Sequence, residues 1–194
     1  MLRTILRVVR TTAKYWLLVG IVIIGLWFLM AATMQQVIRQ STDNPQVQIA
    51  EDTATSLAAG QSVQSVIPAN KVDIANSLAS YVVVFDANGK PIAASGQLNG
   101  QMPTIPSGVF DSVRQSGEDR VTWQPQTGVR SAVVVTQFKG QNSGFVLAGR
   151  SLRESERLQD NITQILSVGL IGLLIVILPI TAFLFRKASW GVQG

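Results

Sequence analysis

Two stretches of the chain are apolar with no polar stripe, and the sequence between them alternates short apolar runs with turn residues. No charge occurs between Lys14 and Arg39, and Tyr15 to Met34 is almost wholly apolar. No charge occurs between Asp160 and Arg186 either, and Ile165 to Phe185 is the second apolar run. Each run is about 20 residues, which at ~1.5 Å per residue matches the ~30 Å hydrocarbon core of a bilayer. The pattern predicts transmembrane helices at 15–34 and 165–185, with one domain at 35–164 between them. Neither span carries an ionisable side chain, which argues against a transporter or proton relay.

Inside 35–164 the periodicity changes repeatedly. Val37 to Ala59 reads as helix, interrupted at Asn44-Pro45 in the manner of an N-cap followed by proline. Gln61 to Asn70 reads as loop, and Val72 to Ala79 as a short helix. Tyr81 to Phe85 is β-branched and aromatic, and Asp86-Ala87-Asn88-Gly89 turns it into a returning strand at Pro91 to Ser95. An irregular loop at Gly96 to Gly108 precedes a helix at Ser107 to Gln115 that stops at Gly117. Strands are expected at Asp119 to Gln124, Arg130 to Phe138 and Gly144 to Arg150, the last two joined by a turn at Lys139 to Ser143. From Ser151 a charged helix runs without a breaker into the second apolar block. The expectation is an α+β fold with a five-stranded antiparallel sheet and its helices on one face.

Charge then sets the orientation. Arg3, Arg7, Arg10 and Lys14 precede the first span, Arg186 and Lys187 follow the second, and no acidic residue lies outside 35–164. The positive-inside rule predicts a cytoplasmic N-terminus at 1–14, a cytoplasmic tail at 186–194 and an extracytoplasmic segment at 35–164 in the plasma membrane. That segment holds ten basic and eleven acidic residues, so the six basic residues of the two collars account for the positive net charge of +5. The collars meet membrane lipid, and a nucleic-acid partner is not expected. A cleaved signal peptide is the competing reading of the first span. The run is long for a signal, and Ala31-Ala32-Thr33 is a poor cleavage site, which favours an anchor.

The chain has no His and no Cys, which excludes Ser-His and Cys-His couples, disulfides and thiolate metal sites. No phosphate loop or dinucleotide fingerprint occurs. No enzyme, catalytic residue, metal or cofactor is expected. Asp86-x-Asn88-Gly89 begins like a calcium loop, but Lys90-Pro91 stands where further ligands belong, so a hairpin turn is the reading.

Tyr81 to Gly89 (YVVVFDANG) with Pro91 to Gly96 (PIAASG) is similar to the first hairpin of the Cache/PDC branch of PAS-like extracytoplasmic sensor domains. Gly149 to Leu158 (GRSLRESERL) resembles the strand-to-helix exit of the same domains in bacterial sensor histidine kinases and chemoreceptors. The likeness covers about residues 40–185. It implies a PAS-like domain with a long N-terminal helix, engaged in sensing. Such receptors continue into a HAMP linker and a kinase or methyl-accepting domain, whereas only Arg186 to Gly194 follow the second span here. Without His this chain does not autophosphorylate on histidine, so a signal is expected to pass to a separate signalling or envelope protein.

In the resembled family the pocket lies between the sheet and its covering helices and loops, and takes small organic anions or amino acids. That implication singles out Tyr81, Trp123, Arg130 and Arg150 as ligand-binding candidates, since a guanidinium holds a carboxylate and an aromatic wall excludes water. Against this, strand arginines usually point at solvent, and Trp123 also fits a plain core position. A homodimer seamed by Leu158, Ile162 and Ile165 is a further expectation. The alternative function is a structural or assembly subunit of an envelope complex with no small ligand.

Overall fold

The computed structural model describes residues 2–140 and 142–190; Gln141 of the expected turn and 191–194 of the expected tail lie outside the described residues, as do the side chains of Arg3, Arg7, Arg186 and Lys187. The chain mixes helix and strand and divides into two units, Met1–Val37 with Leu158–Gly194, and Ile38–Arg157.

The first unit is helical. It contains the first part of α1 (Leu2–Ala58) and most of the last helix, Arg153–Trp190. Two segments, Ala13–Val37 and Arg153–Phe183, are long and apolar enough to cross a membrane. Leu18, Ile21, Phe28 and Leu29 of the first, and Ile165, Val168, Ile175 and Phe183 of the second, are exposed. The two segments meet where the Trp16 indole N–H donates to the Leu174 carbonyl (3.4 Å) beside the buried Gly20.

The second unit is built around a five-stranded sheet. After α1 come the single turn α2 (Val63–Val66), β1 (Val72–Asp73), β2 (Tyr81–Asp86), β3 (Pro91–Ala94) and β4 (Gly96–Gln97). There follow α3 (Ser107–Ser116), β5 (Glu118–Gln126), β6 (Val129–Lys139), β7 (Ser143–Ser151) and α4 (Arg153–Trp190). The sheet order is β3-β2-β7-β6-β5, antiparallel throughout. β1 and β4 form a separate two-stranded parallel patch. The main strands, the β2–β3 hairpin and α3 lie where the pattern of the sequence put them.

Three local expectations fail for physical reasons. The helix does not restart at Pro45, which lies inside α1; proline's fixed φ is helical and its missing N–H removes one bond of the ladder. Gln61 to Asn70 is not all loop, because the Ser62 hydroxyl accepts from the Ser65 N–H (3.2 Å) and caps α2. Val72 to Ala79 is not a helix. Asp73 pairs in β1, and its carboxylate accepts from the Ala75 N–H (2.9 Å) and the Asn76 amide (2.7 Å), closing a turn instead.

The helices cover both faces of the sheet, not one. Tyr81–Phe85, Ala132–Val135 and Phe145–Ala148 are continuous buried apolar runs, so side chains on both faces must leave water. On one face α1 lays Ala50, Ala54 and Leu57 on Val82, Val84, Val146 and Ala148. On the other, α3 and the loops bring Phe110, Val113, Ile105 and Ile74 onto Val83, Phe85, Phe145 and Leu147.

Within this unit α1 and α4 join the sheet at the same end. The Gln46 amide of α1 reaches the Ser80 hydroxyl (3.5 Å) beside the start of β2, and α4 starts two residues after β7 ends. From there α1 crosses the sheet, so that Ala58 lies against Gly140 in the β6–β7 turn at the far end.

Candidate functional site

The four residues singled out from the sequence are split between the two faces. Strands alternate their side chains, and the register pairs Tyr81 with Gly149, Val133 with Gly149, and Trp123 with Ser131. Tyr81 and Trp123 therefore share the α3 face, while Arg130 and Arg150, one step out of phase, share the α1 face. The structure does not bring the aromatics and the arginines together.

Tyr81 is 1% exposed and packs between two glycines. A Cβ on Gly96 would stand 2.7 Å from its ring, and a Cβ on Gly149 would collide with the same ring. Gly149 thus gives a bulky phenol room inside the sheet layer. Burial pushes the phenol up to about 12. The neighbouring Ser131 hydroxyl offsets part of that rise, although the two oxygens do not meet in hydrogen-bonding geometry. Trp123 completes this aromatic layer. Phe110 closes it, with its ring centroid 5.1 Å from that of Phe85 and 4.9 Å from that of Phe145.

The arginines are held from outside. Arg130 is exposed and pairs with Glu156 at the start of α4. Arg150 Nε donates to the Leu78 carbonyl (3.3 Å). Arg153, the first residue of α4, donates through Nη2 to the carbonyls of Asn76 (2.8 Å) and Ala75 (3.4 Å). Two cationic side chains three residues apart at the β7–α4 junction therefore hold the turn that precedes β2.

An opening lies at the end of the sheet away from that junction. A cleft of about 560 Å³ opens between the end of α1 with α2, the β2–β3 turn and the β6–β7 turn. Its apolar floor is Leu57, Phe138 and Ile92. Gln61, Gln64, Asn88, Asn142 and Ser143 surround it with polar side chains, and Asp86 supplies a carboxylate.

Each wall is fixed locally. Asp86 Oδ1 accepts from the N–H groups of Asn88 (2.9 Å) and Lys90 (2.8 Å), and Gly89 takes φ 80°, so the expected hairpin turn is realised with the carboxylate in the cleft wall. Arg114 of α3 braces the same turn, donating to the Ala87 carbonyl (3.0 Å) while stacking 5.1 Å from the centre of Phe145. At Gly140 any Cβ would stand 2.6 Å from the Ala58 carbonyl, so only glycine lets the β6–β7 turn close on the end of α1.

Sequence reasoning did not assemble this cleft. Its residues read individually as turn and loop formers, and it takes the sheet order together with the passage of α1 across the sheet to bring the three turns to one end. The local signal was the concentration of Gln, Asn, Ser and Gly in three separate turns. Among the described residues no group of three or more Asp, Glu, His or Cys is placed to hold a metal ion. No family model matches this chain, and no curated protein matches it.

Proposed function

We propose that the protein is a two-pass membrane protein whose segment 35–164 is an extracytoplasmic, PAS-like domain of the Cache/PDC kind. This domain binds a small ligand or a protein and relays the event to a separate effector. The observation that carries the reading is the pairing of two helical segments, each holding a charge-free apolar run of about 20 residues, with a domain whose α1 and α4 join the sheet at one end and whose cleft opens at the other. Helices apolar on all sides are stable in lipid and not in water. The basic collars support cytoplasmic termini. The sheet, its first hairpin and the long helix beside it fit the architecture expected of such a domain.

The relay follows from elements already described. Occupancy of the cleft fixes the end of α1 against two turns of the sheet and so biases α1, whose Gln46 contacts Ser80 beside the turn that Arg150 and Arg153 hold at the start of α4. A ligand shifts this balance only to the extent that it binds one arrangement better.

One observation favours a second reading, an assembly subunit of an envelope complex. The space between the sheet and α3 is filled by Tyr81, Phe85, Phe110, Trp123 and Phe145, where the resembled family would hold its ligand. Thermal unfolding of the full chain in lipid nanodiscs, against a broad metabolite panel, separates the two. A saturable rise in melting temperature supports sensing. No rise with any compound, together with stable co-purification of an envelope protein that lacks a signalling domain, supports assembly.

A further inference from the structure

The chemistry of the cleft selects among ligands. Gln61, Gln64, Asn88 and Asn142 each present a side-chain amide, and none of these amides hydrogen-bonds to a described residue. An amide both donates and accepts, so the four together offer mixed partners around one opening. Asp86 adds acceptor capacity, because its turn engages Oδ1 and leaves Oδ2 outside those bonds. Among the described residues no Lys, Arg or His lines the cleft. An anionic ligand would lie beside the Asp86 carboxylate with no lining cation to offset the repulsion. The floor of Leu57, Phe138 and Ile92 offers an apolar surface under the polar ring.

We propose that this cleft is a binding site for a neutral saccharide. A sugar ring has vicinal hydroxyls, which match amides and a carboxylate that donate and accept side by side, and an apolar C–H face, which matches the Phe138 side of the floor. The volume of about 560 Å³ falls within the range of small-molecule sites. The capped α2 turn, the Asp86 turn and the Gly140 contact hold the walls in place before binding, which lowers the cost of ordering them around a ligand. The assignment rests on the reading that the domain binds a ligand in this cleft, and names its class.

The test uses the full chain in nanodiscs free of glycolipid, prepared without glycoside detergent. Saturation-transfer NMR is recorded with glucose, N-acetylglucosamine and maltose, and separately with citrate and spermidine. Gln64→Ala and Asn142→Ala serve as cleft variants, with circular dichroism to verify that they fold. The expected result is transfer to at least one sugar, with affinity reduced at least tenfold in each variant, and none to citrate. Sugar binding that both variants leave unchanged overturns the site. Transfer only to citrate or spermidine, lost in the variants, overturns the saccharide class and leaves the cleft as a ligand site. No transfer from any probe overturns the saccharide assignment, and the metabolite panel then decides the broader sensing reading on its own.

Discussion

The two faces of the central sheet solve the same burial problem with opposite materials. Toward α3 the layer is built from large rings, Tyr81, Phe85, Phe110, Trp123 and Phe145, with glycines where a ring needs room. Toward α1 it is built from Ala50, Ala54, Ala148 and valines, and the helix lies directly on the strands. Rings fill the thickness under a short helix and irregular loops, whereas small residues let a long helix approach closely. A cleft opens where α1 ends, beside its last buried residue, Leu57.

Truncating the ring layer has the largest expected effect. Phe145→Ala removes a residue packed against Phe110 and under Arg114, and is expected to cost about 3–5 kcal/mol. Thermal or denaturant unfolding of the full chain in nanodiscs measures it. A loss below about 1 kcal/mol would mean that the aromatic layer is not the stabilising core.

On the opposite face the sensitive change is enlargement. Ala50 is fully buried against Val134 and Ala148. Ala50→Leu is expected to lose about 1–3 kcal/mol through overpacking, read in the same assay. If Ala50→Leu is neutral, the close approach of α1 is not a packing requirement and the contrast between the faces weakens.

Much of the sheet could be read from the chain because β-branched and aromatic runs bounded by Gly, Asn and Asp are local signals. Tyr81 to Gly89 carries strand, turn and positive-φ residue in nine positions. The same run held a signal that the one-faced expectation passed over. Five consecutive apolar residues in a strand place apolar side chains on both faces, so a second cover was implied. The Val72 to Ala79 error has a different origin. Ile74, Ala75 and Leu78 have helical spacing, but Asp73 hydrogen-bonds its own neighbours and the strand pairing to Gly96 is non-local. The cleft was illegible for the same reason, since convergence of three turns depends on tertiary pairing.

The buried phenol gives a pH-dependent probe of the aromatic face. Tyr81 is raised from 10.0 to about 12 in the fold, so its neutral form is favoured there. The sign follows from linkage: the contribution is fully present below pH 10 and disappears as pH rises toward 12, because only the unfolded chain ionises readily in that window. Stability should therefore fall across that window, and Tyr81→Phe should flatten the fall. An unchanged slope in Tyr81→Phe would show that another group governs alkaline unfolding.

The smallest effect is expected at the exposed arginine. Arg130 and Glu156 are both solvent-accessible, and Arg130→Ala is expected to change stability by no more than about 1 kcal/mol. A larger loss, measured by the same unfolding assay, would give the α1-side arginines a role in holding the start of α4 that ion pairing at a surface does not supply.

The central claim is that the domain between the two apolar segments lies outside the cell while the basic ends remain inside. The chain contains no cysteine, so a single introduced thiol reports one position without background. Gln64→Cys and Ser143→Cys at the cleft, and Thr4→Cys and Ala188→Cys at the ends, are treated with a membrane-impermeant maleimide in intact cells and again after lysis. The account predicts labelling of the two cleft positions in intact cells and labelling of the two end positions only after lysis. Protection of Gln64→Cys and Ser143→Cys until lysis, with the ends labelled from outside, would contradict it.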